Sequence, residues 1–233
     1  MGITAEAGPI TIINPSFETA TLPFNAGNGS YNQLIPGSTI NPPVTGGTLA
    51  GWTASSNSVN SSAGAFDPNA GGVNWTTQWW NGNNVAYLQE SALGVTSMLS
   101  ETLGSTLQNN TAYTLSSLVG CRSTGFYCAY AIQLYAGTTL LASASNLSLT
   151  SNTSGSDSAM YTSGASDPNA GAPLMIVLSS TAASGTTSHT YTEAFFDSVS
   201  LNAQTAVSGT PEPGTFVLLG LGLAAIPLAR RRR

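Results

Sequence analysis

Helix periodicity is all but missing from this chain. No run places apolar residues at three- and four-residue spacing between capping residues and charges. Short stretches rich in β-branched and aromatic residues recur instead: Ile10 to Ile13, Asn84 to Gln89, Met98 to Leu103, Ala112 to Val119, Ala129 to Tyr135, Thr138 to Ala144, Leu174 to Ser179 and Glu193 to Leu201. Gly, Asn, Ser or Pro separates each from the next, which is the punctuation of strands. Eight strands of this kind predict an all-β sandwich. Between Leu22 and Asn83 lie all four Trp but little alternation, and this stretch is expected to form loops over one face or end of the sandwich.

Charge is the second constraint. Only 6% of the 233 residues are charged, against roughly 25% in ordinary soluble proteins. Low charge alone is compatible with disorder, but 41% of the residues are hydrophobic and 19 are Phe, Trp or Tyr. That is enough to bury a core. There is no Lys, and four of the five Arg are the last four residues. Residues 1 to 206 therefore set nine carboxylates against Arg122 alone, a net charge of −8. A phosphate backbone is held by clustered Lys and Arg, so nucleic acid is excluded as a partner of this region.

Cys121 and Cys128 stand seven apart around an aromatic, Gly-containing stretch. Two readings stay open: a disulfide closing a loop in an oxidising compartment, or two small buried thiols. Neither is catalytic, because His189 is the only His and no CxxC is present.

The C-terminus carries the most specific signal. Pro211-Glu212-Pro213 is followed by an apolar run from Phe216 to Ala229 and then by Arg230, Arg231, Arg232 and Arg233. The run has 14 residues, short for a spanning helix, which needs about 20. The cationic end is what holds such a segment in a membrane with its tail in the cytoplasm. Box, run and Arg cluster in this order resemble the PEP-CTERM sorting signal of Gram-negative and cyanobacterial exporters. The resemblance implies an exosortase as partner, transient anchoring in the inner membrane and release to the cell surface or outside.

Export implies a leader, and Ala5-Glu6-Ala7 is of the small-x-small type that signal peptidase cleaves. The expected partition is a residual leader in residues 1–7, a sandwich domain in 8–206, and a sorting segment with a short hydrophobic helix in 207–233.

Five pieces within the domain resemble a galactose-binding-type jelly roll: Asn14-Pro15-Ser16-Phe17-Glu18, Gly51-Trp52, Gly82-Asn83-Asn84-Val85-Ala86-Tyr87-Leu88, Tyr113-Thr114-Leu115 and Phe196-Asp197-Ser198-Val199-Ser200-Leu201. This scaffold is shared by carbohydrate-binding modules and by the Stig cyclases, which fold isonitrile-bearing terpenoid indoles into polycyclic products. The resemblance implies a structural Ca²⁺ held by Glu18 and Asp197 with backbone carbonyls, and calcium's need for six to eight oxygens agrees. Independently, acids set in apolar strand sequence need a cation or protons to neutralise them.

Trp75, Trp79, Trp80 and Tyr87 are the expected ligand-binding aromatics, with Phe126, Tyr127 and Tyr130 as further candidates. Their planes suit a sugar ring or an indole. Hydrolytic sets are absent: His189 has no nucleophile motif beside it, and zinc ligands are too few. Glu90, Glu101, Glu193 and Asp157 offer no spacing that pairs them as a glycosidase requires. A cyclase needs only one acid in an aromatic pocket; the resemblance to Stig cyclases implies an acid in the closing region, where Asp197 or Glu193 is the nearest candidate, Asp197 being already the better calcium ligand. Asp167-Pro168-Asn169-Ala170-Gly171 repeats Asp67-Pro68-Asn69-Ala70-Gly71; turn chemistry explains it, and a pair of calcium loops is the alternative. The favoured expectation is an exported, non-catalytic module that binds glycan or builds extracellular matrix. A Stig-cyclase-like enzyme is the alternative.

Overall fold

The computed structural model describes residues 8–20, 30–33, 48–58, 61–68, 77–90, 92–122, 128–181 and 192–205. Among them are twelve strands and no helix: β1 (Gly8–Ile10), β2 (Ser30–Gln33), β3 (Thr53–Ser56), β4 (Ser61–Asp67), β5 (Val85–Glu90), β6 (Thr96–Thr106), β7 (Thr111–Gly120), β8 (Cys128–Ala136), β9 (Thr139–Leu149), β10 (Ser154–Thr162), β11 (Pro173–Thr181) and β12 (Thr192–Thr205). They form two antiparallel sheets. One runs β10-β7-β12-β5-β4-β2, with β1 also on β12, and the other runs β3-β6-β11-β8-β9.

Alternation explains the packing. From Thr111 to Val119 of β7, buried and half-buried residues alternate, as period-2 side chains must when one face meets the core. Leu115, Val119, Ile132, Leu134, Leu174, Ile176, Leu178, Phe196 and Leu201 project between the sheets. Each such side chain withdrawn from water contributes roughly 1.5–3 kcal/mol. Phe17 and Trp52, ring centroids 5.2 Å apart, close one end, and the Trp52 indole N–H donates to the carbonyls of Ile13 and Asn14 at 3.2 and 3.3 Å.

Some expectations need correction. The first predicted strand stops at Ile10, and residues 11–13 leave the sheet. The expected loop region of residues 22–83 contributes β2, β3 and β4, and β4 lies inside its sheet, between β2 and β5. Ser61-Ser62-Ala63-Gly64-Ala65 lacks large β-formers, yet small side chains suit a strand buried on both faces. The edge strand β10 was equally unmarked, because most of its side chains, its serines and Met160 among them, are exposed.

Cys121 and Cys128 form a disulfide, with Cα atoms 5.7 Å apart. In the second Asp-Pro-Asn loop, Asp167 accepts hydrogen bonds from the Tyr161 hydroxyl and from the amide of Asn169. The Asn169 bond lies within the turn and is of the kind Asp-Pro-Asn sequences favour; Asn69, Ala70 and Gly71 of the first loop lie outside the described residues. The segment expected to form a C-terminal hydrophobic helix and the sorting residues 211–213 and 230–233 lie outside the described residues, as do Trp75, Phe126, Tyr127 and His189.

Candidate functional site

Strand β12 organises the site. One of its edges pairs with β7 along most of its length; the other pairs with β5 over Thr192 to Phe196 and with β1 over Leu201 to Ala203. Asp197 falls at the gap between β5 and β1. A bulge interrupts the β7 ladder between Asp197 and Ser200, and such a bulge re-aims side chains.

Two segments enter this gap. From one side comes the turn at residues 81–84. Asn81 donates its amide to Asp197 Oδ2 at 2.6 Å and its Nδ2 to Ser198 Oγ at 2.6 Å. From the other side comes the segment from Asn14 to Glu18. Glu18 Oε1 accepts the amides of Asn83 and Asn84 at 2.9 and 3.0 Å, while the Pro15 carbonyl accepts from the amide of Val199 at 2.9 Å. Gly82, at φ +70°, sits so close to the Glu18 carboxylate that a Cβ there collides with it.

Asp197 is fully buried. Burial pushes its pKa up to about 6; the amides of Asn81 and Ser198 oppose the rise and the charge of Glu18 adds to it. Backbone strain gathers here too. Asn14, Phe17 and Ser198 have φ of 54°, 59° and 50°, a left-handed region that an aromatic residue rarely adopts and that costs of order 1–3 kcal/mol. The donors are all oxygen, which suits a hard cation rather than a soft metal. Among the described residues no three His, Cys, Asp or Glu side chains gather. Further ligands to a cation at these two acids would have to be carbonyls, amide oxygens or water.

The second half of the site is the outer face of the larger sheet. Ala194 and Phe196 point into the sandwich, so Glu193, Phe195 and Asp197 point outward. Register sets out the rest. Phe195 pairs with Tyr87 on one side and Gly120 on the other, and Tyr87 pairs with Gly64. Phe66, Val85, Tyr87, Phe195 and Trp80 form a separate apolar cluster with Trp79 packed on it. Phe66 and Phe195 are 5.8 Å apart, and Trp79 meets Trp80 edge to face at 5.8 Å. The Trp79 indole lies over Gly120, where no side chain larger than hydrogen fits.

Glu193 stands beside this cluster, two residues before Phe195 and 2% exposed. Its Oε2 lies 2.9 Å from Arg122 Nε. Burial raises its pKa to about 7, and Arg122 restrains the rise. The outer face therefore joins an acid poised near neutrality to a row of aromatic rings.

Of the expected aromatics, Trp79, Trp80 and Tyr87 come together here. Tyr130 does not: it points between the sheets, edge to face with Phe196 at 6.2 Å. Glu90 pairs across the ladder with Thr192, and Glu193 with Gln89, so the two acids project from opposite faces of the sheet and are not a facing glycosidase pair. Glu90 accepts from the Ser97 and Ser180 hydroxyls inside the sandwich. Glu101, raised by burial, accepts the amide of Ile13 at 2.7 Å. Sequence reasoning missed Phe66, Phe195 and the Arg122 partnership. The outward alternation Glu193-Phe195-Asp197 was the available signal for Phe195.

Comparison with known proteins agrees with the two-sheet fold. No curated protein matches the chain. Among solved structures, an apo cyclase from Fischerella sp. superposes with a TM-score of 0.67 at 23% identity, covering 88% of this chain and 100% of that one. A Stig cyclase from Fischerella sp. TAU, in complex with (3Z)-3-(1-methyl-2-pyrrolidinylidene)-3H-indole, gives 0.67 at 22% identity, covering 86% and 100%. A carbohydrate-binding module in complex with β-1,4-galactotriose reaches only 0.44 at 10% identity, covering 66% and 90%. Residues 210–233 match the PEP-CTERM protein-sorting motif, which marks the protein for export and exosortase sorting. Residues 8–202, all but the last three residues of the sandwich, match the family described as HpiC1 cyclase, and the chain belongs to this HpiC1-like family.

Proposed function

We propose that this exported protein binds a flat, apolar, indole-like ligand on the outer face of its larger sheet and that Glu193 transfers a proton to it in a cyclase-type reaction. The observation that supports this reading is the burial of Glu193, with a pKa of about 7, beside Phe195 and Tyr87. An acid near neutrality both gives and regains a proton at working pH. In the proposed step the Glu193 O–H bond breaks and its proton adds to an unsaturated carbon of the ligand. Ring closure then consumes a π bond, and a proton lost from the cationic product restores the acid, so the net reaction is an isomerisation. Arg122 stabilises the carboxylate formed in between. The aromatic faces stabilise the ligand's positive charge. The indole ligand itself belongs to the related Fischerella structure.

Glu18 and Asp197 are proposed to hold Ca²⁺, in a jelly-roll scaffold. The ion supplies no chemistry beyond neutralising two adjacent carboxylates and tying together the segments that bear them. Asn81, bonded to Asp197, follows directly on Trp79 and Trp80, so order at this junction positions the aromatic face.

A non-catalytic glycan-binding role for the same face rests on Trp79, which is only half-buried. One experiment separates the two readings. The purified protein is incubated with a 3-alkenyl indole and, in parallel, with a panel of neutral oligosaccharides, followed by chromatography and calorimetry. The cyclase reading expects a ring-closed isomer that Glu193→Gln abolishes. Glycan binding with no indole binding or turnover overturns it.

A further inference from the structure

A pocket lies away from the aromatic face, at the side of the sandwich where the edge strands β9 and β10 of the two sheets meet. It has a volume of about 490 Å³ and is walled by Val119, Tyr130, Asn146, Leu149, Ser156 and Asp157, with further serines at its rim. That size falls in the range of small-molecule sites, about 300–1,000 Å³. Its walls are braced covalently. Cys121, directly after β7, donates its amide to the Thr153 carbonyl at 2.9 Å, and its disulfide partner Cys128 pairs with Leu149 at the end of β9.

We infer that this pocket is a binding site for a neutral, hydroxyl-rich ligand of about one glycosyl unit, oriented by Asp157 on a floor formed by the Tyr130 ring, Val119 and Leu149. The lining chemistry decides the class. Among the described residues no Lys, Arg or His lines the pocket, so nothing there balances an anion. One carboxylate is a poor cation site, and this one already accepts the Tyr130 hydroxyl at 2.9 Å and the amide of Ser158 at 2.8 Å. A carboxylate has about four lone-pair positions, which leaves Asp157 two with which to accept ligand hydroxyls. Ser156 adds a hydroxyl at the wall. An apolar ligand makes no use of the open Asp157 lone pairs and that hydroxyl, whereas a sugar matches them and sets its C–H face on the tyrosine ring. The tyrosine is preorganised: Phe196 packs against it edge to face, and Asp157 holds its hydroxyl.

The site is distinct from the proposed indole face, because Val119 and Tyr130 point between the sheets. The test is titration of the protein with neutral monosaccharides, their methyl glycosides and inositol, read by ligand-observed NMR and calorimetry. At least one is expected to bind with a Kd on the order of 1 mM. Asp157→Ala is expected to weaken that binding about tenfold, while Glu193→Gln leaves it unchanged. Methyl glycosides binding as well as free sugars identify a chain-terminal glycosyl unit as the ligand; a preference for the reducing sugar identifies the free compound. Asp157 is half-exposed, so loss of fold is not expected, and the melting temperature of the variant verifies it. Absence of binding across the panel overturns the inference. So does binding that survives Asp157→Ala or is lost in Trp79→Ala.

Discussion

Asp197 Oδ2 accepts the amide of Asn81 at 2.6 Å, and this bond links the two halves of the candidate site. On one side of it is the carboxylate junction with Glu18. On the other are Trp79 and Trp80, immediately before Asn81 in the chain. Whatever orders the junction therefore orders the aromatic face.

Calcium is expected to raise the melting temperature. At a hundredfold excess over Kd, a ligand confined to the folded state contributes about 2.7 kcal/mol. Glu18→Gln and Asp197→Asn are each expected to remove most of that gain in a calorimetric titration. Because Asp197 titrates at about 6, protons compete with the metal, and the gain shrinks as pH falls below that value. An unchanged melting temperature with Ca²⁺ at pH 7.5 on the wild-type protein rejects the site.

The proposed cyclase activity depends on the protonated form of Glu193. With its pKa at about 7, the rate is expected to fall as pH rises through that value and to level off on the acid side. Glu193→Gln is expected to lower turnover about 100-fold or more with indole affinity retained. Arg122→Ala, which removes the group restraining the pKa, is expected to move the pH profile upward. A flat profile from pH 6 to 9 contradicts the role.

Burial raises Glu90 to about 8, against the hydrogen bonds of Ser97 and Ser180. The folded state thus holds a proton that the unfolded chain, with its carboxylate near 4.5, releases earlier. Stability is accordingly full below pH 4.5 with respect to this group and falls as pH rises toward 8, by a few kcal/mol in total. Glu90→Gln is expected to flatten denaturation midpoints measured across that window. If the mutant retains the wild-type slope, Glu90 is not its source.

Gly120 lies beneath the Trp79 indole. Gly120→Ala is expected to displace the ring, shift tryptophan fluorescence and destabilise the protein by about 1–3 kcal/mol. Indole affinity is expected to fall with it, since Trp79 forms part of the same face. Unaltered fluorescence and affinity refute the packing.

How far the fold was legible varies by strand. β7, β8, β11 and β12 announced themselves because large β-branched and aromatic residues alternate along them. β4 did not, since a central strand under close cover is built from Ser, Ala and Gly, residues that also make loops. β10 did not, since an edge strand with most side chains in water has no apolar face to mark it. The motifs around Glu18 and Asp197 made them candidates, and the structure brings both onto the 81–84 turn; Trp79, Trp80 and Tyr87 were aromatic candidates that it gathers into one cluster. The partnership of Glu193 with Arg122 was not legible, and neither was the inward turn of Tyr130.

The amino-acid order by itself determined the all-β class and the sorting segment, because strand periodicity and a contiguous motif are properties read along a chain. Only the tertiary structure decided which acids act together and on which side of the sheet. A side chain's face follows from strand register, and a one-residue shift in register reverses it. That register is set by the pairing of β12 with β5, β7 and β1, contacts made by residues far apart in sequence.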